Sequence, residues 1–165
     1  MDTGRFIRHL FGSRWGTRRR FTDAVDSAIE AAIRSAESRT SGEIRFVIET
    51  SLDPFVAARG HAPRARALDV FGQFRVWDTE LRNGVLIYVL VADRDVEIVA
   101  DRGAMAVIAP AEWEAACRLM EAEFRAGRFS AGAIAGVDAV AALLARHFPV
   151  RGANRDELPN QAILL

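Results

Sequence analysis

The sequence predicts an α/β protein, a single-domain αβα sandwich with a small mixed sheet built from a parallel crossover and an antiparallel hairpin. Three observations predict it. Val85 to Ala92 is an unbroken apolar run rich in β-branched residues and too short for a typical helix, as expected of a strand buried on both faces. Val96 to Ala100 then alternates, with Val96 and Ile98 on one face and Glu97 and Val99 on the other, so it pairs back as a hairpin across Asp93-Arg94-Asp95. Upstream, a strand and then a helix precede Val85, an order that gives a right-handed parallel crossover.

Each element has its own signature. Thr22 to about Arg39 is a helix, with Val25, Ile29, Ala32, Ile33 and Ala36 at helical spacing. Thr22 is placed to cap it, Asp23 and Asp26 suit its first turn, and Thr40-Ser41-Gly42 ends it. Glu43 to Ser51 is a strand, with Ile44, Phe46 and Ile48 on one face and Arg45, Val47 and Glu49 on the other; Asp53-Pro54 ends it. Phe55 to Ala62 reads as a loop or weak turn. Arg64 to Trp77 is a second helix with Pro63 near its first turn and a stripe of Leu68, Phe71, Phe74 and Trp77. Pro110 opens a third, with Trp113, Ala116, Cys117, Met120 and Phe124 as its stripe and Gly127 as its stop. Ser130 is expected to cap a fourth that runs to about Phe148, where Gly132 and Gly136 allow close packing on a neighbour. The chain thus divides into a basic aromatic arm (1–20), one domain (21–149) and a tail (150–165) that either hangs loose or docks.

Composition excludes several classes. Formal net charge is zero, so no global field draws the chain to nucleic acid or to a membrane. Every basic residue except the histidines is Arg, which removes Schiff-base and P-loop lysine chemistry. Cys117 stands alone, so there is no intrachain disulfide and no cysteine metal knuckle. His9, His61 and His147 are scattered, and no GxSxG, HExxH, CxxC or GxGxxG pattern occurs. Cys117 lies on an apolar helix stripe and reads as core rather than nucleophile. With neither a signal-peptide pattern nor an apolar run of spanning length, a cytoplasmic location is expected.

The charge is unevenly placed: residues 1–20 hold six Arg and one acid, Asp2, which leaves the remainder net negative by five. Phe6, Ile7, Leu10, Phe11 and Trp15 interleave with the arginines. This arm either docks on its own domain, lies on an anionic membrane surface through residues 5–20, or serves a partner, with nucleic acid the weakest of these. Gly4, Gly12 and Gly16 oppose one continuous helix.

The crossover and hairpin bring Glu43, Asn83 and Asp101 to one edge of the sheet, and Asp78 and Glu80 lie in the loop leading there. Oxygen ligands of this kind suit Ca²⁺ or Mg²⁺, with no organic cofactor indicated. The ordinary alternative is that these acids cap helices or stay solvated. Gly103 precedes a short apolar segment, and its backbone N–H with Arg102 offers an anion site; alternatively Gly103 takes a positive φ at the turn and Arg102 pairs with a nearby acid.

Ser41-Gly42-Glu43-Ile44, Asn83-Gly84-Val85-Leu86-Ile87, Val96 to Gly103, and Phe124-Arg125-Ala126-Gly127-Arg128-Phe129 followed by Gly132 and Gly136 together resemble the TPM domain family over roughly Thr22 to Phe148. The resemblance implies an αβα sandwich. It also links the chain to acid phosphatase activity, divalent-metal binding, and repair or assembly of membrane complexes. Asp101-Arg102-Gly103 stands where many members have Gly-x-Gly, and the signal peptide and membrane helix of many members are not found in this sequence.

Three functional readings follow. The first is an accessory domain that binds a divalent cation and a protein partner. The second is a metal-assisted phosphatase in which Asp78 and Asp101 hold the metal and Arg102 the phosphate. The third is a membrane-surface adaptor that works through its arm.

Overall fold

The computed structural model describes residues 2–150 and 156–165. Four strands form one sheet in the order β3-β2-β1-β4: β1 (Ile44–Glu49), β2 (Val85–Leu90), β3 (Asp95–Ala100) and β4 (Ile163–Leu164). β1 and β2 are parallel, with Ile44 opposite Val85 and Glu49 opposite Leu90. β3 runs antiparallel to β2, and β4 runs parallel to β1 with Val47 opposite Ile163. Every position of β1 and β2 is buried, as a central pair covered on both faces requires.

The two-residue period of the strands sorts their side chains into two cores. Ile44, Phe46, Ile48, Ile87, Val89 and Ile98 face the helices α3 (Asp23–Glu37), α7 (Pro110–Arg125) and α8 (Phe129–His147). Val47, Leu86, Tyr88, Leu90 and Val99 face α5 (Pro63–Gln73) and the short α4 (Pro54–Ala58). This is the αβα sandwich the sequence predicts. By length and composition α8 is apolar enough to cross a membrane. Here its inner face is part of the first core, and a Cβ on Gly136 would lie 2.1 Å from Met120 Sδ of α7.

Several elements differ from expectation. Phe55 to Ala62 is not all loop: the Asp53 carboxylate accepts the Phe55 and Val56 N–H groups and Pro54 sets the first turn, which suffices to form α4. α5 stops at Gln73, and Arg75 at φ 50° carries the chain out of the helix. Its buried positions are Ala67 and Val70, so Leu68 and Trp77 are exposed and the expected stripe is displaced by one residue at its start. α8 begins at Phe129 without a side-chain cap, so Ser130 lies inside the first turn. The end of the tail pairs with β1 as β4, an addition to the sheet made by residues far apart in sequence.

The arm is ordered against the domain as α1 (Thr3–Leu10) and α2 (Arg14–Arg20), separated at Gly12-Ser13. Arg5 donates to the Asp93 carboxylate at 2.6 Å and to the Ala57 carbonyl at 3.0 Å. His9 Nε2 lies 3.0 Å from Asp93, while its Nδ1 accepts the Leu52 N–H at 2.9 Å. The proton therefore sits on Nε2 and is donated to Asp93. Burial pushes the Asp93 carboxyl up, but the hydrogen bonds from Arg5 and His9 outweigh it and hold the group below its ordinary value. The hairpin tip is thus an anchor of the arm.

Candidate functional site

The site forms where α3 turns into β1. Glu37 ends the helix, and Glu43 precedes the first residue of the strand. The turn between them is held from several sides. Thr40 and Ser41 hydroxyls donate to the Phe148 carbonyl at 2.7 and 3.3 Å. Asn83 Nδ2 donates to the Ser41 carbonyl at 2.9 Å. A Cβ on Gly42 would lie 2.8 Å from Leu144 Cδ1, so only glycine lets the turn pack this closely on α8.

The C-terminal segment closes the site. The Leu158 N–H donates to Glu43 Oε2 at 3.1 Å. Arg45 donates to the carbonyls of Pro159 and Gln161 and ties the segment down beside β1. These contacts place Asp156, which accepts from Asn160 Nδ2 at 3.2 Å. One carboxylate oxygen from each of Glu37, Glu43 and Asp156 then lies within 4.8 Å of the others.

The electrostatics of this group favour protonated carboxyls. Burial, followed by the charge of Glu43, pushes the Glu37 carboxyl up to about 8, although the Ile44 N–H opposes the shift. Burial raises Glu43 to about 7, opposed by the Leu158 N–H and increased by the charges of Asp156 and Glu157. Glu43 is fully buried, and its Oε1 has no hydrogen-bond partner. Such an atom costs free energy unless something meets it. Three carboxylates within 4.8 Å of one another, two of them buried, fit a hard divalent cation with water completing its coordination.

The structure distributes the residues predicted from sequence unevenly. Glu43 belongs to the carboxylate group. Asn83 is fully buried behind the α3–β1 turn, and its Oδ1 is unpartnered. Asp101 lies at the same sheet edge, where its N–H donates to the Gly84 carbonyl at 2.9 Å. Its Oδ1 caps the helix α6 (Arg102–Val107) by accepting the Arg102 N–H at 2.7 Å, and its Oδ2 is unpartnered. Asp78 and Glu80 are exposed and lie outside the group; the Glu80 N–H donates to the Glu157 carboxylate at 3.1 Å.

Arg102 and Gly103 do not present an open anion cradle. The Arg102 N–H is taken by Asp101, and the Gly103 N–H by the Arg82 carbonyl at 2.9 Å. Gly103 is helical rather than at positive φ. A Cβ there would lie 2.5 Å from the Arg82 carbonyl oxygen, which is why glycine occupies the position.

Sequence reasoning missed Glu37 and Asp156. Glu37 had a usable signal: it is an acid in the last turn of α3, where the helix dipole disfavours it. Asp156 had none, because only the fold brings the tail to this corner. At Cys117, burial and then the charge of Glu97 push the thiol up to about 12.

Comparison with known proteins agrees with this architecture. The profile of the TPM domain matches residues 18–143. No curated protein matches the chain. Among solved structures, the chain is similar to the BA42 protein of the psychrophilic bacterium Bizionia argentinensis, with 35% identity over 87% of this chain and 94% of that one and a TM-score of 0.77. The N-terminal domain of a protein from P. gingivalis is 20% identical over 79% of this chain and 82% of that one, with a TM-score of 0.56. The N-terminal domain of cg2496 from Corynebacterium glutamicum is 13% identical over 86% of this chain and 79% of that one, with a TM-score of 0.55, and like the preceding structure it shows the fold alone. A profile match spanning most of the chain and a relative at 35% identity leave one assignment: the chain belongs to the TPM domain family.

Proposed function

We propose that this TPM domain is a divalent-cation-binding accessory module, with Glu37, Glu43 and Asp156 as its protein ligands. The observation that carries the reading is the approach of three carboxylates, Glu37, Glu43 and Asp156, to within 4.8 Å of one another, with the first two buried. Ca²⁺ or Mg²⁺ would replace the protons that Glu37 and Glu43 hold near neutral pH, and it would neutralise their repulsion. Asp156 lies in the C-terminal segment, so cation binding would also brace that segment against the α3–β1 corner. The cation would then control the shape of a surface that a protein partner reads.

Thermal melting of chelator-stripped protein tests this. Saturating Ca²⁺ or Mg²⁺ is expected to raise the melting temperature, because a ligand that binds only the folded state stabilises it by mass action. Unchanged melting with Ca²⁺, Mg²⁺ and Mn²⁺ would end the proposal.

A further inference from the structure

The arm is docked by its polar side. Arg5 and His9 lie one turn apart on α1 and face the domain, where both meet Asp93. The opposite side of the same turn carries Ile7, Leu10 and Phe11, which are 49%, 53% and 75% exposed. Trp15, in the first turn of α2, is 66% exposed. A helix on a globular core normally buries its apolar stripe; α1 buries its hydrogen-bonding stripe and leaves the apolar one in water. Exposed apolar side chains grouped in this way mark an interaction surface.

The charges around this stripe are basic. Arg5 is neutralised by Asp93, and Arg18 pairs with Asp26. Arg14, Arg19 and Arg20 have no ion pair among the described residues. The Arg19 guanidinium lies over the Trp15 ring at 3.5 Å, which places a cation beside an aromatic suited to the headgroup region.

We propose that the α1–α2 face is a docking surface for an anionic lipid bilayer. Ile7, Leu10, Phe11 and Trp15 enter the interface, while Arg14 and Arg19 meet lipid phosphates. A second copy of the chain is the poorer occupant, because a two-fold contact would set this arginine cluster against itself. The surface is preformed: Asp93 fixes Arg5 and His9, and Phe6 packs edge-on against Phe55 of α4 at 5.2 Å. Docking therefore does not require the arm to fold on the membrane.

Co-sedimentation of the full chain with large vesicles tests the proposal, comparing phosphatidylcholine alone with phosphatidylcholine plus phosphatidylglycerol. Binding is expected on the anionic vesicles only, and to fall with added salt. Phe11→Ser with Trp15→Ala, and separately Arg14→Gln with Arg19→Gln, are each expected to weaken it on the order of tenfold. All four side chains are exposed, so circular dichroism should confirm intact folding in both variants. Three results would overturn the proposal: no binding to anionic vesicles, binding unchanged in both folded variants, or a dimer in vesicle-free sedimentation that Phe11→Ser dissociates.

Discussion

Glu43 stands beside Glu37 at the corner between α3 and β1, and its charge adds to burial in holding the Glu37 proton on until about pH 8. Both carboxyls have folded-state values above their unfolded ones. The cation-free fold is therefore most stable where both are protonated and loses stability as pH climbs through about 7 to 8. A cation bound at the proposed site would remove that loss. Melting curves with and without Ca²⁺ should converge near pH 5 and separate above pH 7, and heats of binding at neutral pH should vary with the buffer as protons are released.

Asp95 provides a second pH dependence, away from this corner. Burial, then the charges of Glu97, Glu121 and Asp93, raises its carboxyl to about 6, and its Oδ1 has no partner. A raised acid stabilises the fold below its unfolded value and loses that contribution as pH rises through about 6. Asp95→Asn should stabilise the protein by about 1 kcal/mol at pH 8, allowing for partial exposure, and should do nothing near pH 4. Denaturant midpoints at the two pH values check this.

Asp93 accepts from two side chains of the arm, Arg5 and His9. Asp93→Ala leaves the His9 Nε2–H without its acceptor and the Arg5 guanidinium without its counter-charge, though still bonded to the Ala57 carbonyl, at a cost of about 3 kcal/mol for a half-broken buried pair. The loss should appear as local opening. Amides of α1 are expected to lose hydrogen-exchange protection, while those of β1 and β2 keep theirs.

Two glycines separate rigid from yielding close contacts. A Cβ on Gly84 would lie 1.9 Å from the Val76 carbonyl oxygen, a backbone atom that cannot swing away. A Cβ on Gly136 meets the Met120 side chain, which can. Gly84→Ala should cost about 3 kcal/mol and Gly136→Ala about 1 kcal/mol, as measured by chemical denaturation.

The hairpin of β2 and β3 was legible because Val85 to Ala92 is too short and too apolar to be anything but a central strand. Gly84 marked its entry. The α5 stripe was misplaced because Leu68, Phe71, Phe74 and Trp77 satisfy helical spacing while the smaller Ala67 and Val70 make the closer fit to the sheet. Glu43 was legible from its place at a strand end. Glu37 was absorbed into the pattern of α3, and Asp156 reaches the site only through the pairing of the tail with β1. Local patterns report on elements; a site assembled from the α3–β1 turn and a distant C-terminal segment is set by tertiary contacts that those patterns do not contain.

We propose Glu37, Glu43 and Asp156 as the ligands of a divalent cation. Calorimetric titration of chelator-stripped protein with Ca²⁺ and Mg²⁺ tests it most directly, with Glu43→Gln, Asp156→Asn and Asp78→Asn alongside. Saturable binding is expected, weakened at least about tenfold in the first two variants and unchanged in the third, since removing one charged ligand costs more than about 1.4 kcal/mol. Absence of saturable heat, or binding that persists in Glu43→Gln and Asp156→Asn, would contradict it.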